Sequence, residues 1–357
     1  MSATGRPDLA AVLAYNIPAQ PPGAILLNSN ESPWPPSPAV QAALLGAAAH
    51  GNRYPDWVSA DLVARLARLL ELDRSWITAG CGSVSLCQQL VQACCGPGEE
   101  VLCAWRSFDA YPAMARVHGA VPRTVPLTAG HGHDLEAMAA AVSDRTRLVF
   151  VCNPNNPTGT AVGTAELAWF LDRVPDDVVV VLDEAYREFV TDPAVPDGIP
   201  LALRRRNVAV LRTFSKAYGM AGIRVGYCVA PPALTDVVAK VAIPFTVSRL
   251  AQVAAVAALD EAADVPARLA PLIAERDRVR AALLAAGHQV PPSHANFLWL
   301  PLGAASAAFG EHCATRSVIV RVFPGEGVRV TVGLPAENTA FLAAAATFPV
   351  PLAAQTA

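Results

Sequence analysis

The chain has 357 residues, of which 53% are hydrophobic and 16% charged, and its formal net charge is −3. This composition excludes a disordered protein, and no block of like charges is long enough to indicate a nucleic-acid partner. No apolar run approaches the roughly 18 residues of a membrane span, so we expect neither a membrane nor a nucleic acid to be a partner.

Eight cysteines are scattered along the chain, mostly in apolar runs such as 101–104, and none has the paired CxxC spacing of a zinc site. The N-terminus has no apolar secretory core. We therefore expect reduced core cysteines, no bound metal and a cytoplasmic protein.

The first elements in chain order are an arm and two helices. Residues 1–35 are rich in proline, but the apolar stretch 25–27 indicates an arm that packs on the body of the protein. Residues 58–70 carry apolar side chains at helical spacing. A second helix is predicted over 83–95, where Gly96-Pro97-Gly98 ends it.

Short apolar runs separated by helix-length segments follow. Being apolar on both faces, they indicate buried strands of a mostly parallel sheet covered by helices, which defines an α/β domain. The runs are 100–104, 147–152, 178–183, 207–213 and 225–230.

The composition and hydrophobic pattern of the sequence change at about residue 236. Long alanine-rich helices are followed by strand-like runs at 295–300 and 328–332, which predicts a smaller α+β domain. We predict three parts: an arm joining the small domain (1–35), a large α/β domain (36–235) and a small C-terminal domain (236–357).

The chain has only two lysines, Lys216 and Lys240, against 25 arginines. Arginine keeps its proton at any useful pH, whereas a lysine can lose it and form a Schiff base with an aldehyde. Chance could leave a few lysines in an arginine-rich chain. The motif around Lys216, Arg212-Thr213-Phe214-Ser215-Lys216, argues instead for a required amine.

Polar motifs stand where several predicted strands end. Ligands bind beyond the carboxyl ends of strands in such sheets. Each motif alone is weak, since a Gly-x-Gly turn can be a tight connection and Asn-Pro pairs commonly mark turns. The four motifs are 80–83, 153–159, 183–186 and 212–216.

Together these segments resemble the fold-type I pyridoxal-phosphate aminotransferases, and more closely the histidinol-phosphate aminotransferase-like branch. The resemblance extends from Asn28 to Asn338. Segments 80–90 and 105–108 resemble the actinobacterial aromatic (phenylalanine) aminotransferases. The resemblance implies pyridoxal phosphate, amino-acid and 2-oxo-acid substrates used in ping-pong order, and a homodimer with active sites shared between its subunits.

The resemblance also implies roles for the strand-end residues. Lys216 would hold the cofactor aldehyde through its amine and, once released, move the substrate proton. Asp183 would keep the pyridine nitrogen protonated. Asn156 and Tyr186 would hydrogen-bond the ring oxygen, with a cis bond after Asn156, and Phe108 would stack on the ring.

The cofactor phosphate is implied to lie in a cup of backbone amides at a helix N-terminus, hydroxyl groups and one guanidinium. The implied residues are Cys81, Gly82, Ser83, Thr213, Ser215 and Arg224, with Tyr54 reaching in from the neighbouring subunit.

For the substrate, the resemblance implies that Arg329 binds the α-carboxylate, with Asn156 and Tyr15 as further contacts. Arg321 matches a cation that serves a distal phosphate in histidinol-phosphate enzymes. The loop from Arg321 to Arg329 is shorter than usual there and carries Glu326, which weakens that reading.

Several alternatives stay open from the sequence. The substrate side chain could be aromatic, histidinol phosphate, or a polar or cationic group of a specialised biosynthetic 2-oxo acid. A lyase or decarboxylase on the same fold would share Lys216 and Asp183. A regulator on this fold would need a DNA-binding domain, for which we expect no room, and Gly80-Cys81-Gly82 lacks the third glycine of a nicotinamide site.

Overall fold

The computed structural model describes residues 21–349 together with Leu9 and Val12. Tyr15, which we predicted to bind substrate, lies outside the described residues. Within them, no helix is both long enough and apolar enough to cross a membrane.

The described strands are β1 (Ile25–Leu27), β2 (Ile77–Gly80), β3 (Glu100–Trp105), β4 (Val121–Pro126), β5 (Thr146–Cys152), β6 (Val179–Asp183), β7 (Val208–Thr213), β8 (Gly226–Val229), β9 (Phe297–Leu300), β10 (Val318–Phe323) and β11 (Gly327–Thr331). The described helices are α1 (Pro38–Ala48), α2 (Ala60–Leu70), α3 (Gly82–Cys94), α4 (Ala110–Val117), α5 (Leu135–Ala141), α6 (Thr164–Leu171), α7 (Gly198–Ala202), α8 (Pro232–Lys240), α9 (Arg249–Asp260), α10 (Val265–Ala285), α11 (Ser306–Ala314) and α12 (Pro335–Ala346).

The larger sheet has seven strands in the spatial order β2-β8-β7-β6-β5-β3-β4. β8 runs antiparallel to both of its neighbours, and the remaining neighbouring pairs are parallel. This mostly parallel sheet, together with a smaller mixed sheet, confirms the predicted α/β class.

Strand β5 shows why the predicted runs are apolar on both faces. Val149 and Val151 enter the core on one side of the sheet, which includes residues of α1, α2, α6 and α9. Leu148 and Phe150 enter the core on the other side, with residues of α3, α4 and α8. Successive side chains of a strand point to opposite faces, and each buried one stabilises the fold by about 1.5–3 kcal/mol.

Helix α2 begins later than predicted. The amide of Ala60 donates to the carboxylate of Asp56 at 2.6 Å, and Ser59 has a left-handed backbone with φ 54°. Because helical geometry begins only after Ser59, Val58 stays outside the helix and is 52% exposed.

The smaller sheet has the order β1-β10-β11-β9, with α10, α11 and α12 contributing to its core. Its first strand comes from the predicted arm, and Leu27 of β1 lies opposite Val320 of β10. The sheet closes over the carboxyl edge of the larger sheet, so residues from both sheets line one pocket.

The packing of helix α9 indicates where the boundary between the two domains lies. Its Ala251, Ala254 and Ala255 are buried in the core of the larger sheet, and the helix packs against α1 and α2. The boundary at residue 235 stays a prediction, and this packing favours a boundary after α9.

Candidate active site

One pocket lies at the carboxyl edge of β5, β6 and β7, beside the N-terminus of α3 and under β11 and the arm. Parallel strands place their carboxyl ends at one edge of a sheet, which brings together motifs far apart in sequence. The predicted site residues that line it are Ser83, Phe108, Asn156, Asp183, Tyr186, Thr213, Ser215, Lys216, Arg224 and Arg329.

The Lys216 amine faces the inside of this pocket. Burial lowers the pKa of Lys216 to about 7, with the positive charges of Arg329 and Arg224 acting in the same direction. Nζ donates to the carbonyl oxygen of Ser29 at 3.2 Å. Near neutral pH, Lys216 is therefore a neutral, nucleophilic amine in a large fraction of the protein molecules.

This pKa leads to a prediction for the cofactor-free protein. Its reaction with an aldehyde such as pyridoxal phosphate should accelerate as pH rises through about 7 and level off above that, because the neutral amine is then fully formed. Stopped-flow absorbance against pH would measure this, with Lys216→Ala as the control for other amines. A rate that keeps rising towards pH 10 would contradict it.

Asp183 ends β6 and is buried at the floor of the pocket. Its Oδ2 accepts a hydrogen bond from the Tyr111 hydroxyl at 2.6 Å, and its Oδ1 accepts one from the amide of Ala185 at 3.2 Å. Burial raises the pKa of Asp183, while these two bonds oppose the rise. The carboxylate is thus held in one orientation, facing the pocket.

The anion cup forms where α3 begins. The Thr213 hydroxyl donates to the Ser215 hydroxyl at 3.0 Å, and Nη1 of Arg224 lies 3.3 Å from the same oxygen. Gly82 has φ 74°, and a Cβ built there would lie 2.6 Å from Nη2 of Arg224. The missing side chain is what lets the guanidinium reach the N-terminus of α3.

The roof of the pocket joins the arm to β11. Nη1 of Arg329 donates to Oδ1 of Asn156 at 2.6 Å, and Nη2 donates to the carbonyl oxygen of Asn28 at 2.7 Å. Asn30 donates through Nδ2 to the buried Tyr186 hydroxyl at 2.9 Å. Arg329 and Tyr186 are therefore oriented by the arm.

Phe108 lines the pocket, and its ring meets that of Tyr111 edge to face at 5.4 Å. Tyr111 in turn stacks on Phe150 at 4.2 Å, which fixes it against the sheet. The bond between Asn156 and Pro157 is cis, as predicted.

Four predicted residues that the structure describes lie outside the pocket lining, and one of them is Gly82, the first residue of α3. Cys81 precedes α3 as its N-cap residue. Tyr54 is 78% exposed and stacks on Phe245 at 4.7 Å. Arg321 lies on β10, with Nη2 at 3.6 Å from Oδ2 of Asp109.

The sequence reasoning missed Tyr111, Ser29 and Asn30, which contact Asp183, Lys216 and Tyr186, the predicted catalytic residues. The segment Asn28-Ser29-Asn30-Glu31 belonged to the resemblance, and its run of short polar residues was the available signal. For Tyr111 the sequence contained no such signal beyond its position in a helix-length segment.

Comparisons with known proteins agree with this geometry. The model of the family "Aminotransferase class I and II" matches residues 22–345. An aromatic amino acid aminotransferase of Rhodococcus jostii (strain RHA1) is 57% identical over 96% of this chain and 95% of its own length. A protein of the same name from Thermobifida fusca (strain YX) is 56% identical over 90% of each chain.

Among solved structures, the histidinol-phosphate aminotransferase of Sinorhizobium meliloti in complex with pyridoxal-5'-phosphate superimposes with a TM-score of 0.86. It is 28% identical and covers 97% of this chain, and 98% of that protein is covered. A Thermus thermophilus aspartate aminotransferase variant, 22% identical with a TM-score of 0.83, shares the fold.

The chain belongs to the aminotransferase class I and II family. It is an aminotransferase that uses pyridoxal phosphate, with an amino acid and a 2-oxo acid as substrates. The pocket fits that cofactor, because a buried amine with a pKa of about 7 shares it with the Arg224 guanidinium, which packs against Gly82 at the N-terminus of α3, where a Cβ would lie 2.6 Å from it.

Proposed function

We propose that the enzyme takes the amino group from an aromatic amino acid, phenylalanine or tyrosine, and passes it to a 2-oxo acid in ping-pong order. The observation that carries this is the 57% identity, over 96% of the chain, to a relative named as an aromatic amino acid aminotransferase. The pocket supports it with a guanidinium for the substrate carboxylate at Arg329.

The cofactor, when bound, supplies the electron sink for the carbanion that forms at the substrate α-carbon. In the proposed mechanism Arg329 grips and orients the α-carboxylate, since a guanidinium matches a carboxylate with two parallel hydrogen bonds. Lys216 Nζ, neutral above a pKa of about 7, would take the proton from the substrate α-carbon and deliver it to the former aldehyde carbon of the bound cofactor. The Asp183 carboxylate would keep the cofactor's ring nitrogen protonated.

A histidinol-phosphate substrate is the second candidate, and the superposition on the Sinorhizobium meliloti enzyme favours it. The cation that would serve its phosphate, Arg321, lies beside the carboxylate of Asp109. A lyase or decarboxylase would keep the same floor of the pocket, but its turnover would not depend on a 2-oxo acid.

A single-turnover spectral titration of the holoenzyme tests the assignment. Phenylalanine, tyrosine, histidinol phosphate, glutamate, arginine and alanine would each be added without any 2-oxo acid, and conversion to the pyridoxamine spectrum would be followed. Fast conversion by phenylalanine and tyrosine is expected. Conversion by histidinol phosphate alone, or by arginine alone, would overturn the aromatic assignment while keeping the reaction class.

We further propose a homodimer in which Tyr54 completes the phosphate cup of the partner. Exposed large apolar side chains lie around it, with Trp57 66%, Ile243 70% and Phe245 43% exposed. Such a cluster is typical of a protein interface. Tyr54 does not line the pocket of its own chain, so a role in a phosphate cup requires another copy. We also propose that the enzyme is cytoplasmic. Its eight cysteines are free thiols, and thiols stay reduced in the cytoplasm.

Mixed dimers provide a direct test. Tyr54→Ala and Lys216→Ala chains, co-expressed and assayed at limiting cofactor, should recover about one quarter of the unaltered activity. Half of the dimers are then mixed, and each has one site with both residues intact. The control pairs Asp183→Asn with Lys216→Ala, whose lesions lie in the same pocket and whose mixtures should recover nothing. Absence of recovery with Tyr54→Ala would contradict the shared site.

A further inference from the structure

Two arginines and two carboxylates form one cluster beside the pocket. Arg106 donates from Nη1 to Oδ1 of Asp109 at 2.8 Å and from Nε to Oε2 of Glu326 at 2.8 Å, and its Nη2 bonds the other Glu326 oxygen. Arg321 Nη2 lies 3.6 Å from the second oxygen of Asp109. The formal charges of the four groups sum to zero.

Strand register places this cluster next to the predicted substrate contacts. Arg321 of β10 is directly opposite Arg329 of β11, and opposite residues of an antiparallel pair project from the same face. The backbone of Arg106 is tied to the pocket, because Nδ2 of Asn155, the neighbour of Asn156, donates to its carbonyl oxygen at 3.1 Å.

Aromatic rings complete this side of the site. The guanidinium carbon of Arg106 lies 4.1 Å from the centre of the Trp105 ring and 5.3 Å from that of Phe323. The guanidinium carbon of Arg321 lies 5.6 Å from the Phe323 ring. Both cations are therefore held against π faces as well as carboxylates.

A substrate with a distal phosphate would need cations on this side of Arg329, and among the described residues Arg321 and Arg106 are placed there. Forming those contacts would require the Arg106 guanidinium to leave Glu326 and Asp109, and the substrate anion would meet both carboxylates. Separating the partners of a half-buried ion pair costs free energy, because each charge is left without its partner. A neutral aromatic side chain meets no such obstacle.

We propose that Glu326 and Asp109 are specificity-determining positioning residues, which hold the guanidinium groups of Arg106 and Arg321 so that the site accepts a neutral aromatic side chain and rejects a distal phosphate. The inference rests on the proposed aromatic function and names the residues that enforce it. Glu326 lies in the short loop between β10 and β11, so the loop that departs from the histidinol-phosphate pattern supplies the carboxylate.

The test compares donors that differ only in the distal group. Holoenzymes carrying Glu326→Gln, Asp109→Asn or both would be assayed with phenylalanine and with L-4-phosphonophenylalanine. The ratio of kcat/KM for the phosphonate donor to that for phenylalanine should rise by about tenfold or more, the worth of one charge-assisted hydrogen bond. The rise should come from a lower KM for the phosphonate, and Glu326→Asp should restore the original ratio.

Glu99→Gln is the matched control, because Glu99 also bonds an arginine, Arg147, and its side chain is 34% exposed against 36% for Glu326. It removes the same charge from another part of the chain, just before β3, and should leave the ratio unchanged. Adding Arg321→Gln to the double variant should cancel the gain. Thermal melting of every variant separates loss of fold from loss of selectivity. If one of Glu326→Gln and Asp109→Asn fails to fold, the other is sufficient for the test.

Failure of this inference is distinguishable from failure of the proposed function. If the unaltered enzyme does not accept phenylalanine, the aromatic assignment fails before any variant is compared. If phenylalanine is accepted and the ratio stays within about twofold in Glu326→Gln and Asp109→Asn alike, a change worth less than about half a kilocalorie per mole, the cluster does not set specificity.

Discussion

Lys216→Arg is expected to reduce transamination by about 10⁴-fold or more, because it would remove both the proposed covalent anchor of the cofactor and the proposed proton-transferring base. The substitution keeps a positive charge, so it separates the need for an amine from the need for a cation. Arginine keeps its proton at any accessible pH. It would also place a permanent charge beside Arg329 and Arg224, whose charges already lower the pKa of Lys216.

The measurement is the turnover rate with phenylalanine and a 2-oxo acid, together with the visible spectrum of the purified protein. Lys240→Arg is the matched control, since Lys240 lies in α8, is 67% exposed and pairs with Asp236. That variant should retain full activity and the cofactor spectrum. Activity of Lys216→Arg within about tenfold of the unaltered enzyme would refute the catalytic role.

Asp183→Asn is expected to lower kcat by about 10²–10⁴-fold with a much smaller loss of cofactor affinity. The asparagine side chain has the same shape, and its single carbonyl oxygen can keep the short Tyr111 hydrogen bond while the longer one from the Ala185 amide is lost, so the fold around it should survive. What disappears is the negative charge that we propose keeps the ring nitrogen protonated. The chemistry, and not the assembly of the site, should therefore suffer.

The check is kcat set against the dissociation constant for pyridoxal phosphate, measured by fluorescence quenching. Tyr111→Phe serves as the milder comparison. It deletes a hydrogen bond that lowers the pKa of Asp183, so that pKa should rise further. We expect a loss of about tenfold in kcat, the worth of one hydrogen bond to a charged group. An Asp183→Asn variant with unchanged kcat would contradict the assignment.

Local pattern was sufficient for the buried central strands of the larger sheet, but not for its edge strand β4 (Val121–Pro126), whose side chains are mostly exposed. The predicted run 178–183 corresponds to β6 (Val179–Asp183), and the predicted run 207–213 corresponds to β7 (Val208–Thr213). A buried parallel strand must be apolar on both faces, which marks it in the sequence without knowledge of its neighbours. The polar residues that interrupt such runs at their ends then lie at one edge of the sheet, as Asp183 and Lys216 do.

Helix α9 shows where local pattern is insufficient. Its alanine-rich sequence resembles that of the later helices, and the predicted boundary at residue 235 grouped it with them. Small side chains suit close packing in either domain, so composition does not tell which core takes them. The contacts of Ala251 and Ala254 with the larger core come from the path of the chain.

The sequence by itself determined the α/β class, because short-range periodicity marks buried strands, and the family, because its motifs resemble known ones without reference to a distant partner. Lys216 as the amine and Asp183 as the carboxylate of the site stay predictions from those motifs. Only the tertiary structure decided what holds them. Asn30 contacts Tyr186 across 156 positions and Thr331 across 301, and Glu326 contacts Arg106 across 220. A side chain's distant partners are set by how whole sheets and the arm close on one another, and no local pattern records that closure.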